Sequence, residues 1–356
     1  MRVRQAHIDL AALHHNFALV RRSAPQSAVL AMLKSNAYGH GLERIAKALP
    51  QADAFGVACV REVERLREAG IRQDIVLMTG FHTLEELHHL HHLNASIVVH
   101  SRAQLDMLAS TILSSPIRVW LKVDIGMARL GFSVAEIPEV LATLQALTVV
   151  AEDIVLLGHF SDAADLHSPY TAPQLQQFHQ LTLNLQVSAS LANSAGILTL
   201  PTAHYQWVRP GIMLYGASPC DTMSAAAFDL RPVMTLKSRL LSVQKLAAGA
   251  RVSYGGQFSC PEPMPVGVVE MGYGDGYPRH AENGTPMLVS GKRCPLIGRV
   301  CMDMMMVDLR NAPHAEVGDE VVLWGDQLPI EEIATSAKTI AYELLCHVSQ
   351  RVDVTE

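Results

Sequence analysis

Short apolar runs recur along the first two thirds of the chain, each bounded by polar or turn-forming residues. We count eight: AVLAML (28–33), AFGVACV (54–60), DIVLMTG (74–80), SIVVH (96–100), IRVWLKVD (117–124), DIVLLGHF (153–160), QVSASLAN (186–193) and HYQWVRPG (204–211). Between most of them lie stretches whose apolar positions fall at helical spacing, such as VREVERLREAG (60–70), SRAQLDMLAS (101–110) and TAPQLQQFHQLTLNL (171–185). Ahead of the first run, Asp9 is placed to cap a helix with Leu10, Leu13, Phe17 and Val20 on its apolar face.

Eight strand–helix units in roughly 215 residues predict a (β/α)8 TIM barrel. Runs that are apolar throughout agree with a parallel sheet buried on both faces. A doubly wound open sheet is the competing fold. Its dinucleotide variant carries GxGxxG after the first strand, and KSNAYGHG (34–41) lacks that pattern.

The pattern changes near residue 229. VMTLKSRLLSVQ (233–244), MPVGVVEMG (264–272), TPMLVS (285–290) and MMMVDL (304–309) read as strands separated by Gly/Pro turns, with one helix over roughly 330–347. The division is therefore a barrel over 1–228 and a mainly β domain over 229–356, with the boundary in SPCDTMSAAAFDLRP (218–232).

Composition narrows the class. Of 356 residues, 49% are hydrophobic and 17% charged, enough to bury a large core. A net charge of −6 with no basic run argues against a nucleic-acid partner. No apolar run approaches the ~20 residues of a membrane span. MRVRQAHIDL reaches Asp9 before any apolar stretch, so no signal peptide is expected and the mature chain is expected to start near Met1. The cysteines at 59, 220, 260, 294, 301 and 346 form no CxxC pair. Reduced thiols in the cytoplasm fit that scatter.

In such barrels the chemistry sits at the C-terminal ends of the strands. Lys34 follows a wholly apolar strand. Either it snorkels past the barrel rim, or desolvation lowers its pKa and suits it to Schiff-base chemistry. The fifth run carries Lys122 and Asp124, followed by Arg129. His159 ends the sixth run; a satisfied core histidine is the default there. Asn193-Ser194 and Gly211-Ile212 end the last two, where barrels often bind phosphate through backbone N–H groups, although all four also suit plain turns. Arg209 could face a ligand or form a structural ion pair with Asp162 or Glu43.

The β domain adds Tyr254, Tyr273, Met302 and Asp303 on glycine-rich or polar segments, and Tyr342 in the helical TIAYELL. Singly, such tyrosines are more often packing residues than catalytic phenols. The histidines of EELHHLHHLN place His88, His91 and His92 on one helical face, which reads better as a solvated face than as a metal site. No metal is expected.

Taken together, AMLKSNAYGHGL, WLKVDIGMARLGF, VRPGIMLYG, VSYGGQF, MGYGDGYPR, GRVCMDM and TIAYELL resemble, in order and spacing, the alanine racemase family, from residue 5 to about 352. Departures from the family pattern are small: Ser35 stands where alanine is commoner, and Met304 where some relatives have glutamine. The resemblance implies a homodimer that interconverts L- and D-alanine with pyridoxal 5'-phosphate (PLP), supplying D-alanine for peptidoglycan. It implies that Lys34 carries PLP and that Tyr38, Ser194, Gly211, Ile212 and Tyr342 contact its phosphate; Asn193, beside Ser194 at the end of the seventh run, is counted with the cofactor-binding residues. Arg209 then matches the residue beside the pyridine nitrogen, His159 the one near the ring, and Arg129 the one that touches the substrate carboxylate. Lys122 matches a lysine that is carbamylated in many members. Tyr273, Met302 and Asp303 match residues of the substrate entrance and carboxylate site. Two bases are implied, Lys34 for the D-enantiomer and Tyr254, from the other subunit, for the L-enantiomer. A barrel-type PLP decarboxylase and a non-catalytic PLP carrier remain as alternatives.

Overall fold

The computed structural model describes residues 3–356; Met1 and Arg2, where the chain was expected to start, lie outside the described residues. The chain opens on β1 (Gln5–Ile8), which buries Ala6 and Ile8. Asp9 then caps the helix Leu10–Ser23: its side chain accepts the N–H groups of Ala11 and Ala12, two of the donors that a helix start leaves orphaned. Leu13, Phe17 and Val20 on that helix are buried, as their spacing predicts.

The eight apolar runs become β2 (Ala28–Met32), β3 (Ala54–Val57), β4 (Asp74–Leu77), β5 (Ser96–Val99), β6 (Val119–Asp124), β8 (Val155–Leu157), β9 (Ser188–Ser190) and β10 (Trp207–Val208); between β6 and β8 lies the two-residue β7 (Phe132–Ser133), which pairs with β6. All eight pair in parallel, and β10 closes the ring onto β2 through Trp207–Ala28 and Val208–Val29. Closure excludes the open doubly wound sheet. Every residue of β3 and β5 is buried, which is why these strands read as continuous apolar runs rather than alternating ones. Each fully buried Leu, Ile or Val contributes about 1.5–3 kcal/mol, and Leu30, Val76, Ile97 and Leu121, on β2, β4, β5 and β6, are all fully buried.

The β domain is built on β11 (Met234–Leu246), followed by β12 (Arg251–Val252), β13 (Phe258–Ser259), β14 (Met264–Val269), β15 (Pro286–Val289), β16 (Lys292–Ile297), β17 (Met305–Asp308), β18 (Glu320–Trp324) and β19 (Asp353–Thr355). Its eight-stranded sheet runs β14-β17-β16-β15-β18-β11-β1-β19. β1 pairs antiparallel with β11 and parallel with β19, so residues 5–8 join this sheet although they precede the barrel in sequence. Both ends of the chain thereby meet in one sheet.

The helix expected over 330–347 is two, Ile330–Ser336 and Ala341–His347. Lys338 takes φ 53°, and Thr339 N–H bonds back to the carbonyl of Ala334, a left-handed ending that stops the first helix. Buried Asn16 fastens the first helix to the domain crossover: it donates to the carbonyls of Leu214 and Arg231 and accepts from Arg231 N–H. Among the described residues no helix is long and apolar enough to cross a membrane.

Candidate active site

Lys34 emerges from β2 half-buried, directly before a left-handed turn. Ser35, Asn36, Ala37 and Tyr38 all take φ between 52° and 55°. For L-residues this costs about 1–2 kcal/mol each, so the surroundings must hold it. Glu62 accepts Asn36 N–H at 3.1 Å, Asn36 Oδ1 accepts Leu42 N–H at 3.1 Å, and His40 Nδ1 donates to the carbonyls of Tyr38 and Ala37 at 2.8 and 3.1 Å. The turn aims the Tyr38 phenol at the end of β10: a β-carbon on Gly211 would come within 2.5 Å of its oxygen.

Two neighbouring strand ends complete this wall. Ser194 Oγ accepts Gly211 N–H at 2.9 Å and Met213 N–H at 3.4 Å, and Asn193 Oδ1 caps the following short helix through Gly196 N–H at 3.0 Å. Tyr342 comes from the helix Ala341–His347, its ring centroid 6.1 Å from that of Tyr38. Burial pushes both phenols up from their ordinary pKa, so each stays a donor at neutral pH.

A second group of lining residues is cationic. Arg209 is 4% exposed and donates to Ser190 Oγ at 2.7 Å, to the carbonyls of Gly158 and Leu191 at 2.8 and 3.2 Å, and to His159 Nδ1 at 3.1 Å. Neither Asp162 nor Glu43 is its partner; Glu43 pairs with Arg65 at 2.7 Å. Burial, then Arg129, lowers Arg209 to about 9, still charged at neutral pH. Burial, then Arg209 and Arg129, lowers Lys122 to about 8. Lys34 is lowered by burial and next by Arg129. His159 is driven well below its usual value by burial and then Arg209, so its ring is neutral. Arg129 sits on an exposed loop that Asp124 organises, Oδ1 accepting the N–H groups of Gly126, Met127 and Ala128 at 2.9, 2.9 and 3.2 Å.

These groups share one cavity of about 530 Å³. Of the expected site residues, it gathers Lys34, Tyr38, Lys122, Arg129, His159, Asn193, Ser194, Arg209, Gly211, Ile212 and Tyr342. Tyr254, Tyr273, Met302 and Asp303 do not line it. Tyr254 is 71% exposed and Met302 52%, so in a single chain neither is a packing residue. Sequence reasoning missed Cys346 and the apolar floor of Met32, Met78, Val98 and Leu157. The i,i+4 spacing of Tyr342 and Cys346 on one helix would have found the cysteine. The histidine face bonds elsewhere, His88 to Thr111 Oγ1 and His91 to Ser115.

The cavity lining holds four potential cations, Lys34, Lys122, Arg129 and Arg209, and no carboxylate. Such a wall calls for anions. A phosphate at the Tyr38–Ser194–Gly211 wall, joined to a ring that reaches Lys34, fits the donors present, and a second, carboxylate-bearing molecule fits beside Arg129. The residues therefore suit PLP and an amino acid.

Comparison with known proteins gives the same direction. Residues 8–219 match the family model "Alanine racemase, N-terminal domain" and residues 233–355 match "Alanine racemase, C-terminal domain". The chain is 46% identical over 356 residues to an alanine racemase of Coxiella burnetii, covering 99% of this chain and 98% of that one. It is similar to the crystal structure of the biosynthetic alanine racemase from Pseudomonas aeruginosa, with TM-score 0.97, 42% identity and 99% coverage of both chains. It is also similar to the alanine racemase from Bartonella henselae with covalently bound pyridoxal phosphate, with TM-score 0.89, 26% identity and 99% coverage of both.

Proposed function

The chain belongs to the alanine racemase family, and from that premise we propose that it is a cytoplasmic, PLP-dependent homodimer that interconverts L- and D-alanine, providing D-alanine for peptidoglycan. The observation that carries this reading is the split of the candidate residues: a lysine and a cation-rich wall share one cavity, while a glycine-flanked tyrosine stands exposed on the other domain.

Lys34 would hold the cofactor, with Tyr38, Ser194, Gly211, Ile212 and Tyr342 around its phosphate. PLP supplies an electron sink that makes the α-proton of a bound amino acid removable. Arg209, charged and buried, would stand at the pyridine nitrogen and keep it unprotonated, with His159 beside the ring. Arg129 would hold the substrate carboxylate and fix the plane of the α-carbon.

Racemisation takes a proton from one face of that carbon and returns one to the other. Lys34 Nζ serves one face, receiving the proton of the D-enantiomer; its lowered pKa suits it to give the proton back. The L-enantiomer needs a second base on the opposite face. Tyr254 is that base, brought by the β domain (229–356) of the second subunit with Tyr273, Met302 and Asp303. Arg129 would reach this phenol as well as the substrate carboxylate. Lys122, with a pKa of about 8, has enough neutral amine to take up CO2; as a carbamate it would be an anion that orients Arg129.

The test is direct. D-alanine should appear from L-alanine without CO2 release, and an absorbance band of lysine-bound PLP should vanish in Lys34→Ala. Release of CO2 would indicate a decarboxylase, and a bound cofactor without turnover a carrier.

A further inference from the structure

The β domain contains a carboxylate that the chemistry above does not use. Asp275 lies in the GYGDGY loop and its side chain is fully buried. Its Oδ2 accepts Gly272 N–H at 2.9 Å and lies 3.4 Å from Arg4 Nε; its Oδ1 has no hydrogen bond, and its nearest cation is Arg351 Nε at 3.3 Å. A buried charge held this loosely is poor value as a stabilising pair, because desolvation offsets much of the attraction.

What the pairing does is join three surface segments. Tyr273 N–H bonds to the carbonyl of Cys301 at 3.0 Å and Gly274 N–H to that of Met302 at 2.8 Å. Ser349 N–H bonds to the Asp275 carbonyl at 3.0 Å, and Ser349 Oγ to that of Gly274 at 3.0 Å. Arg351 spans the gap: its Nε faces Asp275 while its Nη2 meets Asp303 Oδ1 at 2.5 Å. Gly272, Gly274 and Gly276 leave no room for a β-carbon against Met302, Arg351 and the His347 carbonyl, so the segments cannot slide without losing contact. The residues fixed in this way, Tyr273, Met302 and Asp303, are those that stand exposed outside their own chain's cavity, at 39%, 52% and 47%.

We propose that Asp275 is a positioning residue for the substrate opening of the other subunit: through Arg351 it sets Asp303, and through its own loop it sets Tyr273 and Met302. This rests on the reading that the two subunits share their sites. Without the anchor, the opening loses its shape while Lys34 and the phosphate wall of the cavity stay intact.

The holoenzyme of Asp275→Asn should show KM for L-alanine raised on the order of tenfold with kcat within about twofold, since substrate entry and placement suffer but the chemistry does not. The decisive arm uses heterodimers of Asp275→Asn with Lys34→Ala, separated by two affinity tags. Their one competent cavity belongs to the Asp275→Asn chain, and its opening is supplied by the chain with intact Asp275, so KM should return to the wild-type value. An unchanged KM in the homodimer, or a raised KM that persists in the heterodimer, overturns the proposal. Heterodimers of Lys34→Ala with Tyr254→Phe form the control: their inactivity would remove the shared-site reading itself, whereas their activity beside a persistent KM defect removes only the role of Asp275. Should Asp275→Asn fail to fold, Arg351→Gln cuts the same link from its solvent side, where Arg351 is 41% exposed, and must give the same KM-selective defect, corrected in the same way.

Discussion

The Nη2 of Arg209 lies 3.1 Å from Nδ1 of His159, with no carboxylate paired to the guanidinium among the described residues. Arginine can only donate, so His159 Nδ1 accepts and the imidazole proton sits on Nε2. In the function proposed above, a cation and not an acid would stand beside the cofactor ring. We expect Arg209→Glu to raise the ratio of transamination to racemisation, measured as pyruvate formed per D-alanine formed. No rise would count against the reading that this cation restrains the cofactor's chemistry.

Gly211 packs closely in the wall proposed to hold the phosphate. Its missing side chain leaves 2.5 Å to the Tyr38 oxygen, and its N–H is bound by Ser194 Oγ. Gly211→Ala must push Tyr38 aside. PLP affinity should fall on the order of 10- to 100-fold, roughly 1.4–3 kcal/mol, in a titration of apoenzyme followed by absorbance, while the melting temperature without cofactor changes little. Unchanged PLP affinity would show that Tyr38 and Gly211 do not bound the phosphate.

Lys122 carries a pH prediction. Its amine is lowered from 10.5 to about 8, so the neutral fraction able to take up CO2 grows as pH rises through about 8. Activity should fall in CO2-stripped buffer and recover with bicarbonate, with faster recovery at pH 8.5 than at pH 7. Lys122→Met should abolish the bicarbonate response. Full activity in CO2-stripped buffer would rule out the carbamate.

Much of this fold and of the cavity was legible in the chain. The eight apolar runs all became barrel strands because a strand buried on both faces leaves an uninterrupted apolar signature. β1 was not read as a strand, since four residues with two buried positions carry little pattern and their pairing with β11 spans more than two hundred residues. The break at Lys338 depends on a left-handed residue that is not glycine, so no turn signal announced it. The run Ser35–Tyr38 is similar: nothing in SNAY demands positive φ, and the contacts that enforce it come from Glu62 and His40. Cys346 escaped because the reading followed strand ends, while this residue reaches the cavity from a helix of the other domain.

His40 offers a test of that turn. Its ring is buried against Tyr215, 4.6 Å between centroids, and burial lowers it from 6.5 to about 4. With the folded value depressed, the unfolded chain takes up a proton as pH falls through 6.5 that the folded chain refuses until about 4. Stability present above pH 6.5 is therefore lost across that window, on the order of 3 kcal/mol from this group. His40→Phe keeps the stacking and removes the proton site. Urea unfolding at pH 7 and pH 4 should show wild type losing about that much more than the variant; equal losses would place His40 in a less buried setting.

The claim that one site needs Lys34 from one chain and Tyr254 from another is tested most directly by mixing inactive partners. Homodimers of Lys34→Ala and of Tyr254→Phe should each be nearly inactive. Tagged heterodimers of the two contain one site with both bases and one with neither, and should regain about half the wild-type turnover per dimer. Heterodimers as inactive as their parents would mean that Lys34 and Tyr254 do not meet across subunits.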